Sequence, residues 1–250
     1  MAGLWAPLLD LLFPPRCTHC GRQGQEGGRL CVDCRAQITR LAPPWCPHCG
    51  LPQTTTDSCR ACQAQPLPFT GLRSAAWYSG PLRPAIHAFK YNNARELAEP
   101  LAGLLTTAWN SLTGPVDAMI PVPLHSSRER ERGYNQSLLL ARQVQRWANV
   151  PVASNLVVRT RRTVPQVSLH AQERQRNVAQ AFGLANQAGS AGVVGRHFVL
   201  IDDVCTTGAT LAACAAVLQT AGAAAVWAVT IARAGWTRHS SGQLVADDQV

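Results

Sequence analysis

The stretch Phe198-Val-Leu-Ile-Asp-Asp-Val-Cys-Thr-Thr-Gly-Ala-Thr-Leu211 decides the fold. Its first four residues form an unbroken apolar run, the mark of a strand buried on both faces. Asp202 and Asp203 end that run, so two carboxylates arrive at the carboxyl end of a sheet, where open α/β sheets bind ligands. Thr206, Thr207, Gly208, Ala209 and Thr210 then form a loop of small residues that opens an alanine-rich helix over 210–221, closed by Gly222. The N–H groups at such a helix start point at one spot. With the helix dipole and the hydroxyls they make a cradle for a monophosphate. Gly208 allows the backbone to approach that phosphate closely. The two carboxylates stand where vicinal sugar hydroxyls would donate to them, so one sugar phosphate satisfies both halves of the stretch. A plain strand–turn–helix with an acidic cap accounts for one aspartate and one threonine, but not for two acids and three threonines. A P-loop is excluded, because no Gly-Lys-Ser/Thr follows.

Outward from this stretch, the chain from Phe69 to about Arg233 alternates strand-like and helix-like patterns. Strands are expected over 72–79, 116–122 and 226–231. Helices are expected over 81–91, over 94–109 with a kink at Pro100, and over 135–147 with Leu138, Leu139, Ala141 and Val144 as the apolar face. A polar, arginine-rich excursion covers 164–181, with a short helix around 171–178. Such alternation gives an α/β fold, a mainly parallel sheet with helices on both faces. The polar stretch from Gly235 is expected to fray. The chain thus divides into residues 1–68, 69–235 and 236–250, with Pro66-Leu67-Pro68 as the linker after the first part.

That first part holds eight of the ten cysteines, in four Cys-x-x-Cys pairs: Cys17 and Cys20, Cys31 and Cys34, Cys46 and Cys49, Cys59 and Cys62. This spacing lets two thiolates in one tight turn reach one tetrahedral zinc. Gly21 and Gly50 follow two of the pairs, where a knuckle turn needs a positive φ. A disulfide scaffold would need an oxidising compartment, and the cysteine runs of iron–sulfur proteins are spaced differently. One or two structural Zn²⁺ ions are therefore expected. Two pairings are open: first with second and third with fourth, or first with third and second with fourth. His19 and His48 sit inside knuckles and are expected to face solvent. A module this small has too little core to fold without metal.

The 250 residues carry 46% apolar and 15% charged residues, enough for a core and unlike a disordered chain. The net charge is +9, and Lys90 is the single lysine among 23 basic residues. From Arg128 to Arg176 there are ten arginines and three acids. The planar guanidinium matches phosphate, and a diphosphate leaving group needs such charge as it departs. Arg128, Arg132, Arg174 and Lys90 are the favoured cations, whereas Arg142 and Arg146 read as solvated helix faces. Residues 4–13 are apolar but interrupted by Asp10, too short to span a bilayer, and without a basic segment before them. They read as an amphipathic helix, with no stable membrane insertion and a cytoplasmic location.

Residues 198–211 resemble the phosphoribosyl pyrophosphate (PRPP) motif of the type I phosphoribosyltransferases, with Cys205 in a variable position. The chain up to Arg233 resembles the ComF family, which joins a cysteine-rich zinc module to such a domain. The cysteine pairs, Lys90-Tyr91, Pro121-Val122-Pro123-Leu124, Arg132-Gly133-Tyr134-Asn135-Gln136, and Thr163, Gln166, Leu169, Arg174 and Asn177 carry the resemblance. It implies a type I phosphoribosyltransferase fold. It also implies that Asp202 and Asp203 contact the ribose and serve catalysis, with Cys205 through Thr210 on the 5-phosphate. Pro121, Val122 and Pro123 would meet pyrophosphate through an unusual peptide geometry before proline, with Mg²⁺ bridging pyrophosphate and ribose oxygens. It implies further a link to natural competence and the use of external DNA, with competence proteins or single-stranded DNA as partners. A non-catalytic PRPP sensor or single-strand binder is the alternative. Cys214 reads as inert core, and Cys205, near a helix start, as favoured toward a thiolate.

Overall fold

The computed structural model describes residues 15–23, 28–160, 181–185, 192–238 and 244–246. The expected helix over 4–13 lies outside them. So do Arg174 and the motif residues Thr163, Gln166, Leu169 and Asn177 of the arginine-rich excursion. In chain order the elements are α1 (Val32–Ala36), α2 (Arg60–Ala64), β1 (Gly71–Trp77), α3 (Leu82–Tyr91), a 3₁₀ turn (Arg95–Leu97), α4 (Ala98–Leu104) and α5 (Thr106–Asn110). There follow β2 (Ala118–Pro121), α6 (Ser126–Arg132), α7 (Gln136–Ala148), β3 (Val157–Arg159), β4 (Phe182–Leu184), β5 (His197–Cys205), α8 (Ala209–Thr220) and β6 (Ala225–Arg233). Two short strands, β7 (Trp236–Arg238) and β8 (Leu244–Ala246), close the described chain.

Four strands form one all-parallel sheet in the order β1-β6-β5-β2. Alternate residues of β5 reach opposite cores, as the period of two requires. Val199 and Ile201 join the residues of α3, α4 and α7 on one face. Phe198 and Leu200 join those of α8 and the β3–β4 pair on the other. Both faces are covered, which is why these strands read as continuous apolar runs rather than alternating ones. A parallel sheet with flanking helices, preceded by a cysteine-rich module, is the architecture expected of the type I phosphoribosyltransferase resemblance.

The cysteine-rich part seals the β1 edge. Trp77 N–H donates to Thr39 O at 2.9 Å, Leu41 N–H to Ala75 O at 3.1 Å, and Leu72 N–H to His48 O at 2.7 Å. An edge strand with unpaired backbone groups is a template for aggregation, and this cover removes it. Gly50 makes the closest approach. Its φ is +68°, and a Cβ there would stand 2.2 Å from Leu72 O.

Three local expectations need correction. Residues 94–109 are not one helix kinked at Pro100 but a 3₁₀ turn and two helices broken at Leu105. Pro100 is the third residue of α4, where an N–H has no intrahelical acceptor, so the ring costs nothing. On α7 the buried face is Ser137, Leu140, Ala141 and Val144, at helical spacings of three and four. Leu138 and Leu139 are only half-buried. After Gly235 the chain does not simply fray: β7 and β8 pair antiparallel, and Trp236-Thr-Arg and Leu244-Val-Ala are strand-prone sequences.

Candidate metal centres and acid site

The eight N-terminal cysteines form two sets, Cys17, Cys20, Cys31 and Cys34, and Cys46, Cys49, Cys59 and Cys62, with all Sγ atoms of a set within 4.8 Å of one another. The pairing is therefore sequential, not crossed. Tetrahedral Zn–S bonds of about 2.3 Å put sulfurs about 3.8 Å apart. Cys20 and Cys31 Sγ are 3.8 Å apart, and Cys49 and Cys59 Sγ 3.7 Å. Against the opposing effect of burial, backbone N–H groups of Cys20, Cys31 and His19 hold the Cys17 thiol down at about 6. The N–H groups of Cys49, Cys59 and His48 hold Cys46 at about 7 against the same opposition. Burial and neighbouring sulfurs push Cys34 and Cys62 up. Four thiolates at one point need a cation, and the donor sets fit structural Zn²⁺. His19 is exposed and His48 half-buried, and neither belongs to a set.

The acid site forms where β5, α3 and α7 meet. Asp202 and Asp203 are both buried, at 9% and 2% exposure. Lys90 Nζ lies 2.8 Å from Asp203 Oδ1. In a chain whose other bases are all arginine, the site uses the compact ammonium, whose donors fit one buried carboxylate oxygen where a planar fork would not. Burial alone would lower Lys90, but the Asp203 and Asp202 charges raise it. Asp202 Oδ1 accepts from Ser137 Oγ at 2.8 Å and from Asp203 N–H at 2.9 Å. Even so, burial and the Asp203 charge push Asp202 up to about 7. Asp203 Oδ2 is buried and has no hydrogen-bond partner among the described residues. Such an orphan acceptor costs about 1–3 kcal/mol until a donor arrives.

Beside the acids, β5 gives way to the threonine loop. Thr206 and Thr207 are exposed, and Gly208, with φ of +82°, is the N-cap of the 12-residue helix α8. No side chain caps that helix. Its first N–H groups lack intrahelical acceptors, and among the described residues a side chain meets them only at the Ala209 N–H, 3.3 Å from Thr207 Oγ1. Only glycine adopts this φ at no cost.

The Arg132-to-Gln136 motif works as a positioning device. Arg132 lies 5.2 Å over the Tyr91 ring and donates to Gln136 Oε1. Gly133 ends α6 with a left-handed residue. The buried Tyr134 hydroxyl donates to Phe89 O on α3. Asn135 caps α7 through the Ser137 and Leu138 N–H groups, and its Nδ2 donates to Val122 O at 3.1 Å. Val122 N–H in turn donates to Ile201 O at 3.0 Å. The buried Pro121, Val122 and Pro123 are thus tied to the residue before Asp202 and to the cap before Ser137. The unusual peptide expected here is not found: the described cis bond joins Pro43 and Pro44, and the 121–124 loop simply extends the β2 pairing.

Arg128 is exposed on α6 and does not reach the acids. Cys205 also departs from expectation. It is 2% exposed, and burial pushes its thiol up although Arg233 Nη1 lies 3.0 Å away. Desolvation outweighs the helix-start effect. Cys214 is buried and pushed up likewise. Ser137 and Arg233 were not singled out from sequence. Ser137 lies one residue beyond the Arg132-to-Gln136 motif, whereas Arg233, 6% exposed, lies two residues beyond the strand expected over 226–231.

A family model described as Double zinc ribbon domain matches residues 8–63. DNA utilization protein YhgH of Escherichia coli (strain K12) is 38% identical over 217 residues, covering 84% of this chain and 86% of that protein. Competence protein F of Haemophilus influenzae is 35% identical over 229 residues, covering 89% and 98%. Competence protein ComFC of Bacillus subtilis is 26% identical over 214 residues, covering 82% and 84%. Among solved structures, adenine phosphoribosyltransferase from Trypanosoma brucei is similar at a TM-score of 0.36 and 14% identity, over 58% of this chain and 55% of that one. Glutamine PRPP amidotransferase from B. subtilis is similar at 0.34 and 17%, over 58% and 26%. No helix among the described residues is long and apolar enough to cross a membrane.

Proposed function

Because the chain belongs to the family of competence protein F and DNA utilization protein YhgH, we propose that it binds PRPP in the use of external DNA. The observation that carries this reading is the buried, unpartnered Asp203 Oδ2 beside an uncapped helix start. A ribose hydroxyl supplies the missing donor, and a 5-phosphate takes the N–H groups of Thr206 to Thr210. The hard oxygens of Asp202 and Asp203 suit Mg²⁺, which favours one or two carboxylates plus substrate phosphates. When bound, that ion would neutralise the pyrophosphate oxygens. Val122 and its neighbours form the wall on which pyrophosphate rests, and Lys90 fixes the position of Asp203 through their 2.8 Å contact.

In transfer, the bond from ribose C1 to pyrophosphate oxygen breaks and pyrophosphate keeps the electron pair. A bond from C1 to the acceptor forms. Asp202 and Asp203 would orient the cationic sugar, which is positioning combined with electrostatic stabilisation. Calorimetric titration of the zinc-loaded protein with PRPP and Mg²⁺ tests the binding. One-site saturation is expected, with affinity falling about a hundredfold or more in Asp203→Asn. Unchanged affinity in Asp202→Asn plus Asp203→Asn overturns it. Pyrophosphate release on addition of nucleobases then separates a transferase from a sensor.

A further inference from the structure

Between the loops of the first cysteine set and helix α3 lies an open cleft of about 520 Å³ at the carboxyl end of β1. Thr18 and Arg29 line it from the metal-binding side, and Tyr78, Arg83, His87 and Asn92 from the α/β side. This volume is that of a small-molecule site and exceeds the needs of an inorganic anion. The lining is cationic. Arg29 is paired with Glu96, whereas Arg83 has no carboxylate partner among the described residues. The exposed Arg83 guanidinium lies 6.0 Å over the Tyr78 ring, and a planar guanidinium both binds phosphate and stacks on rings.

A second observation points to a ligand. Thr18 Oγ1 is buried and makes no hydrogen bond among the described residues, although a threonine hydroxyl rotates to meet any neighbour within reach. The Thr18 N–H is already used, at 2.8 Å from Arg29 O, so the backbone here is tied down while the hydroxyl has no partner among the described residues. Across the cleft, Asn92 is exposed and its amide offers a donor and an acceptor together, the pattern that pairs with the edge of a base.

From these features we propose that the cleft binds a nucleoside monophosphate. Its phosphate meets Arg83 and Arg29. Its base stacks on the Arg83–Tyr78 pair and bonds through Asn92 and Thr18. The site exists only when the metal module and the α/β domain are docked, since each contributes residues. It is distinct from the sugar-phosphate cradle in its lining, which includes none of Lys90, Asp202 and Asp203.

Full-length, zinc-loaded protein is titrated calorimetrically with AMP, GMP, CMP and dTMP, and with inorganic phosphate alone. The expected result is one-site binding of at least one nucleotide, with phosphate alone weaker by about tenfold or more. Arg83→Ala, at an exposed position that leaves the fold intact, should weaken the nucleotide about tenfold, the size of one lost charge-assisted bond. Thr18→Val should weaken it a few-fold. PRPP affinity, measured on the same samples, should not change in either variant. Absence of saturable binding for every nucleotide overturns the proposal. So does affinity indifferent to Arg83→Ala, or affinity that grows with oligonucleotide length, which marks a strand track instead. Loss of nucleotide binding in Asp203→Asn places the ligand in the sugar-phosphate cradle and also overturns it. Failure of PRPP to bind while the nucleotide still does leaves the cleft standing alone.

Discussion

The two four-cysteine sets share one ligand pattern, yet they are built into the molecule in different ways. The first sits at the carboxyl end of β1. Its Cys17 and Cys34, with Leu30 and Ile38, belong to the same buried cluster as α3, α4 and α7. The second sits at the amino end of β1, and Cys46, Cys49 and Cys62 form a small cluster of their own. It is held by close fit and by one arginine. Arg73 lies between Trp45 at 5.6 Å and Trp227 at 5.2 Å and donates to Pro47 O at 2.9 Å. One ligand set is thus an extension of the domain core, and the other is a docked satellite. The Cys-x-x-Cys pairs common to both sets say nothing of this difference, because it lies in what the intervening residues touch.

The largest effect should expose that difference directly. A structural zinc site is worth on the order of 10 kcal/mol of folding free energy, comparable with the stability of a whole domain. Cys34→Ser should therefore unfold α3 and the β1 edge along with its own module. Cys62→Ser should melt the second set locally and leave the sheet intact. Hydrogen exchange with zinc counting checks this: α3 and β1 amides lose protection in the first variant and keep it in the second. Equal loss in both variants would mean that the two sets form one cooperative unit.

A smaller effect tests the satellite's docking without touching its metal. Gly50→Ala puts a Cβ against Leu72 O and forces a side chain to a φ of +68°. The cost should be about 2–3 kcal/mol, combining backbone strain with a displaced contact. Both zinc ions should be retained. A Gly50→Ala protein with unchanged melting temperature would show that the second module yields freely at this contact.

Much of this arrangement was legible from short spacings. Cys-x-x-Cys and the run from Asp202 to Thr210 are local patterns in which chemistry and backbone shape are written in neighbouring residues. What escaped was long-range. The partner of Asp202 is Ser137, 65 positions away, and the neighbour of Cys205 is Arg233, 28 away. Helical periodicity identified α7 but misjudged its buried face, because Ser137 turns inward to a carboxylate and brings Leu140 with it. Cys205 was misjudged for a related reason. Its place before a helix argues for a thiolate, but the burial that overrides this comes from the strand-flanked core on which α8 packs.

The finest contrast between the two cysteine sets concerns the acid pair, which is joined to the first set through α3 and has no such link to the second. Asp202 has a folded-state value of about 7 against an ordinary 3.8, raised by burial and the Asp203 charge. Between these values the folded protein holds a proton that the unfolded chain has released. Its contribution to stability is therefore complete below about pH 4 and disappears as pH rises through about 7. Ligand binding runs in the opposite direction, since a sugar hydroxyl is best accepted by the ionised carboxylate. PRPP affinity should rise about tenfold per pH unit below 7 and level off above it. PRPP titrates too, so the measurement is the ratio of wild-type to Asp202→Asn affinity across pH 5.5–8.5. That ratio should climb with pH and flatten near 7. In Cys62→Ser the same profile should persist, because the second set forms a cluster separate from the one that holds α3. A profile displaced in that variant would show that the second module reaches the acids through β1, and the distinction between core extension and satellite would fail at the site where it matters most.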